Sequence, residues 1–372
     1  MDPRLSDKIR VVSLITMVLL TLVHAYTYPA NTFHGRVLSW DGLNFSIQYF
    51  VSQGLARFRV PMFFILSGYF FHRSVLRPGD GFLTQFRKRL RTIAVPYLLW
   101  SITGFLLYLL MQWPSSMRSL FPNNPVWGLS ALQVFDKILL DPIPYQLWFL
   151  RDLMVLFALS PVFMVLIRRI GAWTLLPAAI TWWFEIDLVV LANESLPFYL
   201  AGAWLFMRGP GRTPSITTGQ RRTLVAGWLA LLMAKTAVVL LNAADIEVVR
   251  VMHKLSTVLG LAAVWVWYDL VVGDDDVKGS FLFKLSAYSF FLYAAHEPLI
   301  TVLKKSLFLL SGDTPLAALM IYVVAPLVTM VICFSTAAWL SRRMPVLYGL
   351  FTGGRGLPRT RTRPATAAFF QR

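Results

Sequence analysis

Arg57-Phe58-Arg59-Val60-Pro61-Met62-Phe63-Phe64-Ile65-Leu66-Ser67-Gly68-Tyr69-Phe70-Phe71 places two arginines and a proline at the head of an apolar run. After Arg59 the segment reads as bilayer-buried. An arginine at the centre of a bilayer costs at least about 2.5–3.5 kcal/mol, so it faces protein rather than lipid. A proline there frees a backbone carbonyl that neighbouring helices must satisfy. The block therefore predicts a helix inside a membrane bundle, with an anion held near its arginines.

The rest of the chain supports that reading. Its 372 residues are 57% hydrophobic and only 14% charged, too apolar for a soluble globule of this length. Long uncharged runs recur from end to end, and none shows the short alternation of a membrane β-strand. The expected fold class is all-α, a polytopic integral membrane helical bundle. About ten transmembrane helices are predicted, near 10–28, 47–71, 92–111, 147–167, 174–192, 195–207, 223–242, 254–273, 281–302 and 316–340. No internal repeat is visible. The net charge of +17 does not point to nucleic acid, because the basic residues cluster in the connections between apolar runs, where they follow topology. The single cysteine, Cys333, forms no intrachain disulfide and offers no metal cluster.

Lys and Arg then orient the bundle. With a cytoplasmic N-terminus, 24 basic residues fall on the inner face and 7 on the outer, while Arg57, Arg59, Arg151 and Lys235 lie inside spans. That bias predicts both termini in the cytoplasm and ten crossings. Met1–Ala25 also resembles a cleavable signal peptide, ending Val23-His24-Ala25; retention as the first span fits the ten crossings. Residues 1–345 form the expected membrane domain, and 346–372 a basic tail, disordered beyond Gly353. Phe82–Arg91 reads as an interfacial helix in a basic inner loop that either attracts anionic membrane lipid or admits a phosphate-bearing ligand. Val126–Leu140 reads as an amphipathic stretch over the outer mouth.

Orientation converts position into depth. Arg10 lies at the inner edge of the first span and His24 near its outer end, roughly 21 Å apart at about 1.5 Å per residue. His296 and Glu297 on the ninth span, and Trp148, Arg151 and Asp152 on the fourth, reach the same outer layer. Arg57, Arg59, Glu185, Asp187 and Lys235 lie near mid-depth. Histidine suits proton transfer near neutral pH, and two at one depth on separate spans suggest catalysis. Which carboxylate supports them, among Glu297, Asp152 and Glu185, stays open. Glu185 or Asp187 is expected to pair with Lys235 or an arginine. Arg57 and Arg59 diverge by about 200° on an ideal helix, which favours Arg59 for the cavity. His34 and His72 read as solvated, and His253 is unassigned. No His/Glu spacing assembles three metal ligands.

These residues resemble a known family, the bacterial membrane acyltransferase family three, whose members O-acylate surface glycans. Arg59-Val60-Pro61-Met62-Phe63-Phe64-Ile65-Leu66-Ser67-Gly68-Tyr69 looks like its second-span signature. Tyr145-Gln146-Leu147-Trp148-Phe149-Leu150-Arg151-Asp152-Leu153, running on to Leu159-Ser160-Pro161, is similar to another. Ser286-Ala287-Tyr288-Ser289-Phe290-Phe291-Leu292-Tyr293-Ala294-Ala295-His296-Glu297-Pro298 is similar to a third. Arg10 and His24 resemble a fourth, although the family commonly has its basic residue ten positions before the histidine; here the nearest arginine is one helical turn further away.

The resemblance implies acyl transfer from cytosolic acyl-CoA, most simply acetyl-CoA, to a sugar hydroxyl of an extracytoplasmic or lipid-linked glycan. It implies His24 as general base and Arg59 or Arg151 on the oxyanion, with His296 and Glu297 as further catalytic candidates. Arg10, Arg57, Ser67, Trp148, Arg151, Asp152 and Tyr293 would bind donor or acceptor. No metal is expected, and the reading leaves room for a separate extracytoplasmic partner. The alternative is a transporter or flippase of a lipid-linked sugar or organic anion, in which the same Arg and His residues bind cargo.

Overall fold

The computed structural model describes residues 3–28, 33–122, 124–209, 216–273 and 275–357. Their regular structure is helical: α1 (Pro3–Ala25), α2 (Trp40–Tyr49), α3 (Arg59–Val75), α4 (Phe82–Arg89), α5 (Val95–Met111), α6 (Ala131–Leu139), α7 (Trp148–Ile170), α8 (Leu175–Trp183), α9 (Ser195–Met207), α10 (Thr218–Leu240), α11 (Ile246–Val271), α12 (Phe281–Leu285), α13 (Ser289–Ser311), α14 (Pro315–Arg343) and α15 (Pro345–Thr352). The chain is an all-helical, multi-pass integral membrane protein.

Six helical runs among the described residues are long and apolar enough to cross a bilayer, compared with about ten expected: Pro3–Ala25, Phe82–Met111, Tyr145–Trp183, Thr218–Leu240, Ile246–Val271 and Pro315–Arg343. The difference lies mostly in interruptions. The segment expected at 47–71 is built from α2, a π-helical turn Phe50–Leu55, a short turn and α3. The expected 281–302 span is divided into α12, a 3-10 turn and α13, and α13 itself carries non-helical backbone at Glu297 before Pro298. The segments expected at 147–167 and 174–192 form one run, bent at Gly171 with φ 58°. Helix α8 then stops at Trp183, and Glu185 and Val189 adopt positive φ. Glu185 and Asp187 are therefore exposed turn residues rather than mid-helix groups; Asp187 Oδ1 accepts from Asn193 N at 2.9 Å and Nδ2 at 3.1 Å, closing the loop. Helix α9 has 13 residues and is too short to be among the six.

Contacts divide the chain into two compact units. Unit 1 comprises Met1–Phe63, Gly211–Leu292 and Leu299–Ser335; unit 2 comprises Phe64–Pro210, Tyr293–Pro298 and Thr336–Arg372.

In unit 1, Ala25 of α1 packs with Ile300 of α13 and with Ile321, Tyr322 and Ala325 of α14. The π-helical turn joins this core through Ser52, whose hydroxyl donates to Leu22 O at 3.3 Å and lies 2.9 Å from the Tyr322 hydroxyl. A second core gathers Phe33, Phe45, Tyr49 and Val239. Helices α10 and α11 meet where Trp228 Nε1 donates to Ser256 O at 2.9 Å.

In unit 2, α3 and α9 cross at backbone distance. A Cβ on Gly68 would lie 2.1 Å from Tyr199 O, and one on Gly202 would lie 2.0 Å from Ile65 O. Small residues permit such close crossings in membranes, where packing rather than water exclusion drives helix association. The Ser160 and Tyr199 hydroxyls, 2.7 Å apart, join α7 to α9. Helix α15 packs on α5, with Trp100 Nε1 donating to Phe351 O at 2.9 Å. Ordered structure thus continues past residue 345, while 358–372 lie outside the described residues. The amphipathic stretch expected at 126–140 contains α6, whose start is fixed by a Ser130–Gln133 capping box. The segment expected at 82–91 is helical as α4 and runs through a π-helical turn into α5.

Candidate active site

The candidate residues are divided between the units: Arg10, His24, Arg57 and Arg59 in unit 1; Ser67, Trp148, Arg151, Asp152, Tyr293, His296 and Glu297 in unit 2.

In unit 1, His24 occupies the last turn of α1. The residue is half-buried, and Arg59 and Lys304 are its charged neighbours. Lys304 Nζ donates to His24 O and to Tyr26 O, each at 3.0 Å. The last carbonyls of a helix lack partners within it, and a lysine there also meets the negative end of the helix dipole. Arg59 Nη1 donates to Ala56 O at 3.0 Å. The Arg59 backbone N also donates to Ala56 O, at 3.3 Å, and the turn at residues 56–58 is followed by α3, which starts at Arg59 itself. Arg57 lies within that turn, where its Nη2 donates to Gln53 Oε1. The two arginines therefore have different hydrogen-bond partners, Gln53 Oε1 for Arg57 and Ala56 O for Arg59.

Lys235 is fully buried, and its partners correct the expected carboxylate pairing. Its Nζ donates to Gln53 O at 2.6 Å and lies 3.4 Å from His253 Nδ1. Arg10 sits over the Phe283 ring, 4.0 Å from its centroid. On the same helix as Arg10, the Lys8 ammonium pairs with Asp269 at 2.7 Å and covers the Trp265 ring at 4.2 Å. Lys8, Asp269 and Trp265, with Arg4, Asp7, Arg221 and Tyr268, line a cavity of about 460 Å³.

In unit 2, the chain around residues 145–152 is bound to the segment around 293–297. Tyr293 OH donates to Gln146 O at 2.7 Å, and Gln146 Nε2 donates to Ala294 O at 3.2 Å. Tyr145 OH donates to Glu297 Oε1 at 3.3 Å. His296 and Glu297 are both buried. Trp148 leans on Phe64 with ring centroids 6.2 Å apart, and Phe149 meets Tyr293 edge-on at 6.1 Å. Ser67 is half-buried on α3.

Asp152 is fully buried and has partners at both oxygens. Oδ1 accepts from Arg151 Nε at 3.1 Å and Nη2 at 3.0 Å; Oδ2 accepts from Ser195 Oγ at 2.5 Å and Ala192 N at 2.9 Å. Arg151 Nη1 also donates to Leu140 O at 2.6 Å. The pair thus anchors the start of α7 to the loop before α9. His72, expected in solvent, is fully buried, with Nδ1 2.8 Å from Gly68 O; α3 continues three residues beyond it. His34 is exposed, as expected.

Sequence reasoning missed Lys304 and the Gln53–Lys235–His253 contact. Lys304 sat just past an expected span end, but α13 continues to Ser311. Among the described residues, no group of three His, Cys, Asp or Glu side chains is arranged to hold a metal ion.

The family model of acyltransferase family 3, described as an acyltransferase domain, matches residues 7–338, nearly the whole chain. The chain belongs to acyltransferase family 3. As a member, it is an acyltransferase, and the match covers every candidate residue above. The chain is also similar to the succinoglycan biosynthesis protein ExoH of Rhizobium meliloti (strain 1021), at 24% identity over 376 residues, covering 99% of this chain and 98% of ExoH. No solved structure matches it.

Proposed function

We propose that this family 3 acyltransferase moves an acyl group from cytosolic acyl-CoA to a sugar hydroxyl of a polysaccharide or its lipid-linked precursor. In this reading it crosses the bacterial inner membrane with both termini in the cytoplasm. The observation that carries the proposal is the half-buried His24 with Arg59 as its charged neighbour in unit 1, in a chain of an acyltransferase family. The relative named for succinoglycan biosynthesis favours a polysaccharide acceptor.

His24 takes the proton of the sugar hydroxyl as that oxygen attacks the thioester carbonyl. Arg59 stabilises the tetrahedral oxyanion, as preorganised donors do in water-poor sites. Collapse of the intermediate breaks the carbon–sulfur bond, and the departing thiolate takes the proton back from His24. Arg59 is assigned the oxyanion because it is the charged neighbour of His24, whereas Arg151 is bound to Asp152 and Leu140 O. His296 and Glu297 stay catalytic candidates, with Tyr145 orienting the Glu297 carboxylate.

Donor entry is assigned to the basic end of α1. There Arg4 and Arg221 share the lining of the 460 Å³ cavity with Asp7, Asp275 and the Lys8–Asp269 pair, and Trp265 offers a face for a base. Arg10 lies on the same helix. Arg57, Ser67, Trp148, Asp152 and Tyr293 complete the proposed substrate-binding set.

The test is thiol release from acetyl-CoA by purified protein supplied with the isolated glycan. Glycan-dependent release of coenzyme A is expected. Binding or movement of the glycan without thiol release would refute the proposal.

A further inference from the structure

Unit 1 holds a second cluster of positive charge that the transfer step does not use. Its centre is Lys235, fully buried, with Nζ on Gln53 O at 2.6 Å, 3.4 Å from His253 Nδ1 and 5.5 Å from the centroid of the buried Tyr49 ring. Arg57 approaches the same backbone segment through Gln53 Oε1, and its charge acts on Lys235, His253, Tyr26 and Tyr49. Lys254, also buried, adds charge beside His253.

No aspartate or glutamate is among the described partners of Arg57, Lys235 or His253. Two donors in this region are buried without a hydrogen-bond partner: Arg57 Nε and the Tyr26 hydroxyl. Buried charges are ordinarily paired, since their desolvation is repaid only by a counter-charge or by several hydrogen bonds. Here an ammonium and an imidazole meet within the field of one guanidinium, which also reaches the Tyr26 phenol, while two donors stay open. Packing alone does not favour that arrangement, because an apolar residue at position 235 would cost less. An arriving carboxylate would accept from Arg57 Nε and Tyr26 OH and offset the charge of Lys235.

We propose that Arg57, Lys235, His253 and Tyr26 form a binding site for a carboxylate carried by one of the substrates. This rests on the acyltransferase reading for the identity of those substrates. The carboxylate has two chemical sources: an acyl group ending in a second carboxyl group, or an acidic sugar of the acceptor. The site discriminates between charged and neutral versions of whichever substrate carries it.

The experiment uses the full chain purified in lipid nanodiscs. One arm compares acetyl-CoA with malonyl-CoA and succinyl-CoA on one glycan. The other compares an acidic glycan with its carboxyl-reduced form at fixed donor. One arm is expected to show at least a tenfold preference in kcat/KM for the carboxylate-bearing substrate. That ratio should fall towards one in Lys235→Met and Arg57→Gln and persist in Lys235→Arg. Because a ratio is read, a smaller folded fraction does not mimic the effect.

Thermal stabilisation by free succinate or glucuronate, lost in Lys235→Met, provides a readout independent of turnover. Stabilisation without any transfer would sustain the site and overturn the acyltransferase reading. Transfer with no preference in either arm, or a preference unchanged in both loss variants, would overturn the site.

Discussion

Lys304 Nζ donates at 3.0 Å to the backbone oxygen of His24, and at the same distance to that of Tyr26. One ammonium from α13 thus closes the open end of the helix carrying the proposed general base. The loss of Lys304 should act through position. Lys304→Met removes two charge-assisted hydrogen bonds, each about 1.5–3 kcal/mol when formed to a charged group. The expected outcome is a drop in kcat of roughly tenfold or more, with the protein still folded and donor KM little changed. Steady-state kinetics beside size-exclusion profiles check it; an unaltered kcat would remove Lys304 from the account.

Arg59 should matter in the transition state rather than the ground state. Removing one oxyanion donor costs about 10²–10³ in kcat, so Arg59→Ala is expected to lose that much, and Arg59→Lys to recover part of it with its remaining charge. A rise in KM alone would assign Arg59 to substrate binding.

The Gly68–Tyr199 and Gly202–Ile65 approaches leave no room for a side chain. Overpacking costs about 1–3 kcal/mol even where side chains can yield, and here the obstructing atoms are backbone carbonyls. Gly68→Val and Gly202→Val should therefore reduce the yield of monodisperse protein, while Ser67→Ala, one position away, should not. Normal yields for both glycine variants would contradict the crossing.

How much of this was legible in the sequence follows from what each feature costs. His24, Arg59 and Lys235 stood out because polar groups in apolar runs are expensive. The Gly68 signature was readable as a motif, but its partner Tyr199 O was not, since a close crossing leaves no periodic trace in the second helix. Hydropathy counted apolar length at 47–71 and 281–302 without seeing the turns that divide them, so about ten spans were expected, while six helical runs among the described residues are long and apolar enough to cross. Lys304 was hidden for a related reason: a charged residue beyond an apolar run reads as loop, although its helix continues. The acceptor for Lys235 was invisible because it is a backbone carbonyl of Gln53, in a π-helical turn.

Asp152 provides a test of stability rather than catalysis. It is buried, with Arg151, Ser195 and Ala192 at its two oxygens. Breaking a buried ion pair by deleting one partner costs about 3–5 kcal/mol. Asp152→Ala is expected to lose most folded protein, and Ser195→Ala, which deletes one hydrogen bond, far less. Thermal melts in detergent measure both; equal melting temperatures for the two variants would show that Asp152 does not anchor α7 to the loop before α9.

The central claim, that His24 is the base of an acyl transfer, is tested most directly by coenzyme A release from acyl-CoA in the presence of the glycan, comparing purified wild-type protein with His24→Ala. General-base removal predicts a loss of about 10²–10⁴-fold in a variant that elutes and melts like the wild type. Wild-type release by that variant would contradict the claim.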